Sequence, residues 1–519
     1  MRLLKWKSVF FVNLAAGCLA YSLLMINQLV NRMDGLWHGS ISFAGNHERC
    51  IGRWLWPYFD KVRLYLSPDP FTSVLALSFF IASVILIMDI FEVERKPWKY
   101  LISLLFTVNI SVLVALSYRY MSPVFAASCF LAVLGVYIMI KSRNRIMHFV
   151  AAPLCITAML GLYQANIGCS CLIILIYLML MLYRGQKSIK ELLLFTAGCM
   201  ISLLFGGLLY AGITKLILWC YDLKMSSYGG AETIGVSGVV KNISNSIHNV
   251  YFHFLEYYLN DSIKTNVFGI KAYLPIYLMI FAGLVYMAIG ILKREWVKAL
   301  LFLLLMLLIP VACNAVLFIA FDYSMTIQMT IPVSMAIPAL LCLLSNADMP
   351  EALPARVYKT VFCLGVCLLL YGNFGMTLYD QYVMYSSMNS TKQLASEIIT
   401  SLQINDLYHP YYKYVFLGSP YENPLFMNNL YLTERTNSYA HIGGWTSENF
   451  ATSTSSWQGL LNENLGLNLY VAGEDKYEEA WEDPVVKSMP IFPEKGSCIL
   501  MGDVVVVKIA NINDDEIGE

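Results

Sequence analysis

The stretch from Met33 to Lys61, MDGLWHGSISFAGNHERCIGRWLWPYFDK, places Asp34, His38, His47, Glu48, Arg49 and Arg53 between two apolar runs. Acids at the edge of hydrocarbon are expensive to keep and tend to have a task. Asp34 lies four residues past Val30, where the first apolar run ends, and Glu48 sits between His47 and Arg49. This set suits displacement at the anomeric carbon of a lipid-linked sugar. A carboxylate, Asp34 or Glu48, takes the proton of the acceptor hydroxyl. Cations stabilise the departing lipid phosphate, and guanidinium groups match phosphate oxygens two at a time. Arg53, Arg49 and Arg119 are the candidates for that role, with His38 as a further substrate contact. A plainer reading stands beside this one. Trp37, Trp54 and Trp56 can anchor an aromatic collar at the interface, with Arg32, Asp60, Lys61 and Arg63 as its solvated charges.

Other candidates lie further along. Gln164, in YQANIG, is a candidate for sugar contact, although amides between spans often only satisfy one another. Arg119, in YRYMSP, is the one Lys or Arg in the alternate set of short loops; it binds phosphate or snorkels. Asp322, in AFDYSM, falls between two later apolar runs. Tyr251, Phe254, Tyr257 and Tyr258 share a helical face that suits lipid anchoring on an amphipathic surface helix.

The elements that must position these residues are membrane spans. The 519-residue chain is 58% hydrophobic and 13% charged, about half the charge of a soluble domain. Apolar runs fall at 8–30, 71–91, 98–117, 123–141, 148–164, 169–184, 192–219, 272–293, 298–319, 326–345 and 357–376. The expectation is a polytopic α-helical membrane protein with about eleven transmembrane helices. Lys and Arg crowd alternate short loops, which puts the N-terminus in the cytoplasm of a plasma-membrane protein. Three large pieces then face outward: loops at about 31–70 and 220–271, and the tail. The expected division is a catalytic membrane domain over 1–376 and a small extracytoplasmic α/β domain over 377–519. In the tail, 390–404 reads as a helix capped by Ser390 or Thr391, 412–418 as a strand, 456–471 as a helix then a strand, and 498–510 as a hairpin turning at Gly502-Asp503. No phosphate-binding loop or dinucleotide motif appears, and the zero net charge gives no reason to expect nucleic acid.

Asp34 after the first helix, GRWLWPYF, YQANIG and a many-span chain ending in an external tail together resemble the GtrII family, bacterial multispan glucosyltransferases of the GT-C class. The likeness covers most of residues 8–376, and MPIFPEKGSCILMGDVVVVKIA at 489–510 is similar to the tails of such proteins. The resemblance implies an undecaprenyl-phosphate-glucose donor and transfer to a surface polysaccharide on the outer face. It also implies an essential acid in the first external loop, carried onto Asp34 and then Glu48. Several relatives have two adjacent acids where this chain has Asp34-Gly35, so which carboxylate is the base stays open. A lone Asp is a poor cation site; no metal ligands are assigned, and a divalent ion stays compatible with the reaction.

The reading is therefore a GT-C-like membrane glycosyltransferase using a polyprenyl-phosphate sugar. A polysaccharide polymerase or ligase acting on lipid-linked oligosaccharide is its alternative. A flippase or transporter is disfavoured by span interiors nearly free of charge. A non-catalytic assembly subunit would be indifferent to loss of Asp34.

Overall fold

The computed structural model describes residues 3–31, 35–36, 38–142, 144–226, 236–259, 273–318, 327–347, 353–426 and 454–511. Among the described residues six helices are long and apolar enough to cross a membrane: Phe71–Ile90, Ser122–Lys141, Gln164–Arg184, Ile189–Cys220, Tyr273–Leu292 and Val357–Ile404. A bent pair, Lys96–Thr107 and Ile110–Ser117, adds a seventh, and Lys7–Ala20, Met147–Leu162, Trp296–Leu307 and Ile331–Leu344 are shorter apolar helices.

Two of the breaks in the expected spans have a local cause. The run at 8–30 divides into Lys7–Ala20 and Ser22–Asn27 at Tyr21. The run at 98–117 bends by 44° at Val108-Asn109. The breaks meet. Tyr21 Oη donates to the Thr107 carbonyl at 2.9 Å and accepts from Asn109 N–H at 3.1 Å. The Asn109 side chain caps the second half by accepting from Val112 N–H at 3.1 Å. Backbone groups freed by a kink in an apolar bundle need such partners.

Three basic segments converge on two acids. Lys5 reaches Asp89 at 2.8 Å, while Lys141 and Arg184 reach Glu92 at 2.9 and 3.1 Å. Trp6 and Tyr137 complete the Asp89 shell at 3.3 and 3.0 Å.

The helix Val236–Leu259 departs from the surface anchor expected of it. Tyr257 and Tyr258 are buried. Tyr257 meets Ser111 at 3.0 Å, and Tyr258 donates to the Val333 carbonyl. Each ring carries a hydroxyl that finds a partner among the spans, so the helix end is drawn into the bundle.

The last helix, Leu353–Ile404, runs for 52 residues. The boundary expected at 376/377 falls inside it, and the expected caps are mid-helix. Thr391 Oγ1 donates back to the Ser387 carbonyl at 2.8 Å, the usual use of a threonine hydroxyl within a helix. No proline interrupts the chain between Pro354 and Pro410, so nothing forces a stop.

Beyond it lies a four-stranded sheet in the order β2-β1-β4-β3, from β1 (Lys413–Leu417), β2 (Tyr470–Val471), β3 (Cys498–Met501) and β4 (Val504–Lys508). β1 runs parallel to β2 and to β4, with Leu417 opposite Lys508. β3 and β4 form the expected hairpin, with Gly502 at φ +63° in its turn. Leu394, Ala395, Ile398 and Leu402 on the long helix join one core with Tyr414, Phe416 and Trp457.

Candidate functional site

The first loop folds onto the bundle through two short helices, Asn46–Cys50 and Trp56–Val62. Glu48 stands in the first turn of the former and accepts from Gly45 N–H, as an acid at that position does in a capping box. Arg49 donates to Asn46 Oδ1 at 2.9 Å and lays its guanidinium 4.3 Å from the Tyr221 ring centre.

Gly52 follows, at φ +79°. A Cβ there would lie 2.2 Å from Tyr210 Oη, so only glycine allows both the turn and the approach. Gln164 fills the same corner. Its Nε2 donates to the Ile51 carbonyl at 2.9 Å and to Tyr210 Oη at 3.0 Å, and its Oε1 lies 3.5 Å from Arg53 Nε. The Arg53 guanidinium sits 4.9 Å from the Tyr163 ring centre, within cation–π range. Sequence-predicted Arg53 and Gln164 are thus neighbours, and Gln164 spends its amide on holding the loop.

The collar reading is corrected at several positions. Trp54 and Trp56 are buried. The Trp54 ring passes where a Cβ on Gly161 would be, at 2.9 Å. Asp60 and Arg63, expected as solvated charges, are 1% and 5% exposed. Arg63 Nε donates to Asp60 Oδ1 at 2.9 Å, and the same carboxylate accepts from Trp56 Nε1 at 3.1 Å and Ala44 N–H at 2.8 Å. Arg63 also donates to the Tyr120 carbonyl. The pair is the internal brace of the loop, because a charge can be buried only when matched in this way. Burial still pushes the Asp60 carboxyl above its ordinary value, against the pull of Arg63.

A second cluster forms around Arg119, which is 8% exposed. Its Nη1 donates to Gln28 Oε1 at 3.1 Å. Gln28 also bonds both sides of the Asp69 peptide, accepting from its N–H at 3.1 Å and donating to its carbonyl at 2.6 Å. Asp69 Oδ1 accepts from Thr72 Oγ1 at 2.9 Å and Ser73 N–H at 3.0 Å. Burial lowers the Arg119 pKa, while the nearby Asp69 and Glu463 carboxylates oppose that shift. Burial raises the Asp69 carboxyl against its hydrogen bonds and the Arg119 charge. His38 stacks on Tyr120 with ring centres 3.6 Å apart. Glu463, from beyond the long helix, lies 3.4 Å from Ser40 N–H.

The two clusters are joined by rings. Tyr118 meets Phe125 at 5.8 Å, and Phe125 meets Tyr163 at 4.6 Å, beneath Arg53. Asn31 N–H donates to the Ser117 carbonyl at 2.9 Å, two residues before Arg119 in the sequence. Asp34 itself and Asp322 lie outside the described residues. Among the described residues no group of three or more His, Cys, Asp or Glu side chains is placed to hold a metal ion.

Sequence reasoning missed Gln28 and Asp69. Asp69 sits in SPDPF, whose flanking prolines read as a turn; its readable signal was an acid at the entrance of an apolar run.

No curated protein and no solved structure matches the chain. The family described as glucosyl transferase GtrII matches residues 40–343. That match takes in Glu48, Arg49, Arg53, Arg119, Gln164 and Asp322, while Asp34 and His38 precede it. Spanning more than half of the sequence, it shows that the chain belongs to the GtrII glucosyltransferase family.

Proposed function

We propose that this membrane glucosyltransferase is of the GT-C class and moves glucose from a polyprenyl-phosphate donor to a surface polysaccharide at the outer face. In this topology the N-terminus is cytoplasmic and the C-terminal sheet extracytoplasmic. The observation that carries the reading is Arg119. It is the basic residue of the short loops on its side, yet it is buried and held by Gln28, just past the helix Ser22–Asn27. A buried guanidinium at that level is suited to a lipid phosphate. Asp34 follows three residues after Asn31, whose N–H is bonded to the Ser117 carbonyl.

In the proposed reaction the acceptor hydroxyl gives its proton to the Asp34 carboxylate and its oxygen bonds to the anomeric carbon. The bond from that carbon to the phosphate oxygen breaks, and its electron pair leaves on the phosphate, where Arg119 stabilises the charge. Arg53, on its Tyr163 platform, is the second cation facing the headgroup layer. Glu48 is the alternative base. The test compares the glucose content of surface polysaccharide in cells lacking the gene, complemented by wild type or by Asp34→Asn. Glucose restored by wild type alone supports the reading. An unchanged polysaccharide in all three strains overturns it.

A further inference from the structure

Two buried acid–base pairs stand within this loop system, and they are built differently. Asp60 and Arg63 close on each other at 2.9 Å and spend their remaining polar atoms on Trp56, Ala44, Leu66 and Tyr120. Asp69 and Arg119 do not close. Gln28 holds the Arg119 guanidinium and the Asp69 backbone, and the two charges act on each other. Arg119 Nε and Asp69 Oδ2 are nevertheless both buried without a hydrogen-bond partner among the described residues. The residues are 8% and 7% exposed.

An unmet donor and an unmet acceptor on charged groups are each costly. The neighbouring pair shows that this loop can close an arginine onto an aspartate. A ligand that satisfies both atoms must present an anionic oxygen to the guanidinium and a hydroxyl to the carboxylate. A glycosyl phosphate does so, with its phosphate on the anomeric carbon and a ring hydroxyl on the next carbon. A polyprenyl phosphate without a sugar supplies only the first.

We propose that Asp69 and Arg119 are a two-point clamp for the hexosyl-phosphate headgroup: Arg119 Nε holds a phosphate oxygen and Asp69 Oδ2 accepts the hydroxyl next to the anomeric carbon. Gln28 is the positioning residue, fixing both through one amide. The clamp rests on the donor being a prenyl-phosphate sugar and adds to it the residue that reads the sugar. Asp69 Oδ1 already accepts from Ser73 N–H and Thr72 Oγ1 in the first turn of the helix Phe71–Ile90, so reading falls to the other oxygen.

The test uses the purified full chain in lipid nanodiscs and three probes: farnesyl phosphate, farnesyl-phosphate glucose and farnesyl-phosphate 2-deoxyglucose. Asp69→Asn keeps the oxygen that accepts from Ser73 and Thr72 and replaces the reading oxygen by an amide. It should raise the Kd of the glucosyl probe about tenfold or more and leave farnesyl phosphate unchanged. Wild type should lose a similar factor on the 2-deoxy probe, and Asp69→Asn should no longer separate the two sugars. Arg119→Gln should weaken all three. Equal weakening of all probes by Asp69→Asn, or no weakening of any, overturns the clamp. So does a wild type indifferent to the 2-hydroxyl, which would leave Asp69 Oδ2 satisfied by water alone. A wild type that binds none of the probes overturns the donor reading itself.

Discussion

At the scale of single residues, the charges of the first loop sort by what they already hold. Glu48 is committed to Gly45 N–H and Arg63 to Asp60. Asp34→Asn is therefore expected to lower turnover about a hundredfold or more, as loss of a general base does, with normal expression. Glu48→Gln is expected to be milder, since an amide oxygen can still accept from Gly45. The reverse order in a transfer assay would move the base to Glu48. Arg63→Ala strands a buried carboxylate and should cost about 3–5 kcal/mol, read as a lowered unfolding midpoint. Asp69 carries a pH signature. Burial, opposed by Ser73, Thr72 and Arg119, raises its carboxyl above 3.8, so the folded state binds the proton more tightly than the unfolded. Its contribution to stability is then fullest below the unfolded value and is lost as pH rises through the folded one. Asp69→Asn should raise the thermal midpoint at neutral pH, and the gain should vanish towards about pH 4; a gain that persists there contradicts the assignment. Residue types made Glu48, Arg53, Arg119 and Gln164 visible as candidates in the sequence. They did not distinguish Asp60 from Asp69, because which carboxylate is braced depends on Tyr120 and Gln28, far away along the chain.

At the scale of elements, the apolar runs were legible and their interruptions were not. The break at Tyr21 and the bend at Asn109 exist because one hydroxyl serves both, a relation no local pattern carries. The hairpin at Gly502 was legible because its turn chemistry is local. The helix end expected near Ser390 was misread because Ser and Thr favour caps only where the backbone leaves donors free. The long helix also carries Asp380, 1% exposed, whose Oδ1 has no hydrogen-bond partner among the described residues. Asp380→Asn replaces a buried ionisable carboxyl by an amide of the same shape and should raise the thermal midpoint of the ligand-free protein. A lowered midpoint would mean that the carboxylate has a stabilising partner after all.

At the scale of the whole molecule, the ion pairs of Lys5, Lys141 and Arg184 mark one end and the Arg119 cluster the other. With the first end cytoplasmic, a membrane-impermeant thiol reagent applied to intact cells should reach Cys498 and spare a Gln186→Cys variant. The opposite pattern would invert the topology. Between the ends runs Leu353–Ile404, about 78 Å long at 52 residues, more than twice the hydrocarbon thickness of about 30 Å. Because it does not stop at the membrane surface, it works as a threaded shaft. Each residue added between Met376 and Leu394 turns the sheet by about 100° and lifts it by about 1.5 Å. One inserted alanine after Ser387 should swing Glu463 away from Ser40 and depress transfer. Seven, close to two full turns, should return the azimuth at a greater height and restore part of it. The number of residues in that stretch is thus a mechanical setting, tuned by azimuth first and by elevation second.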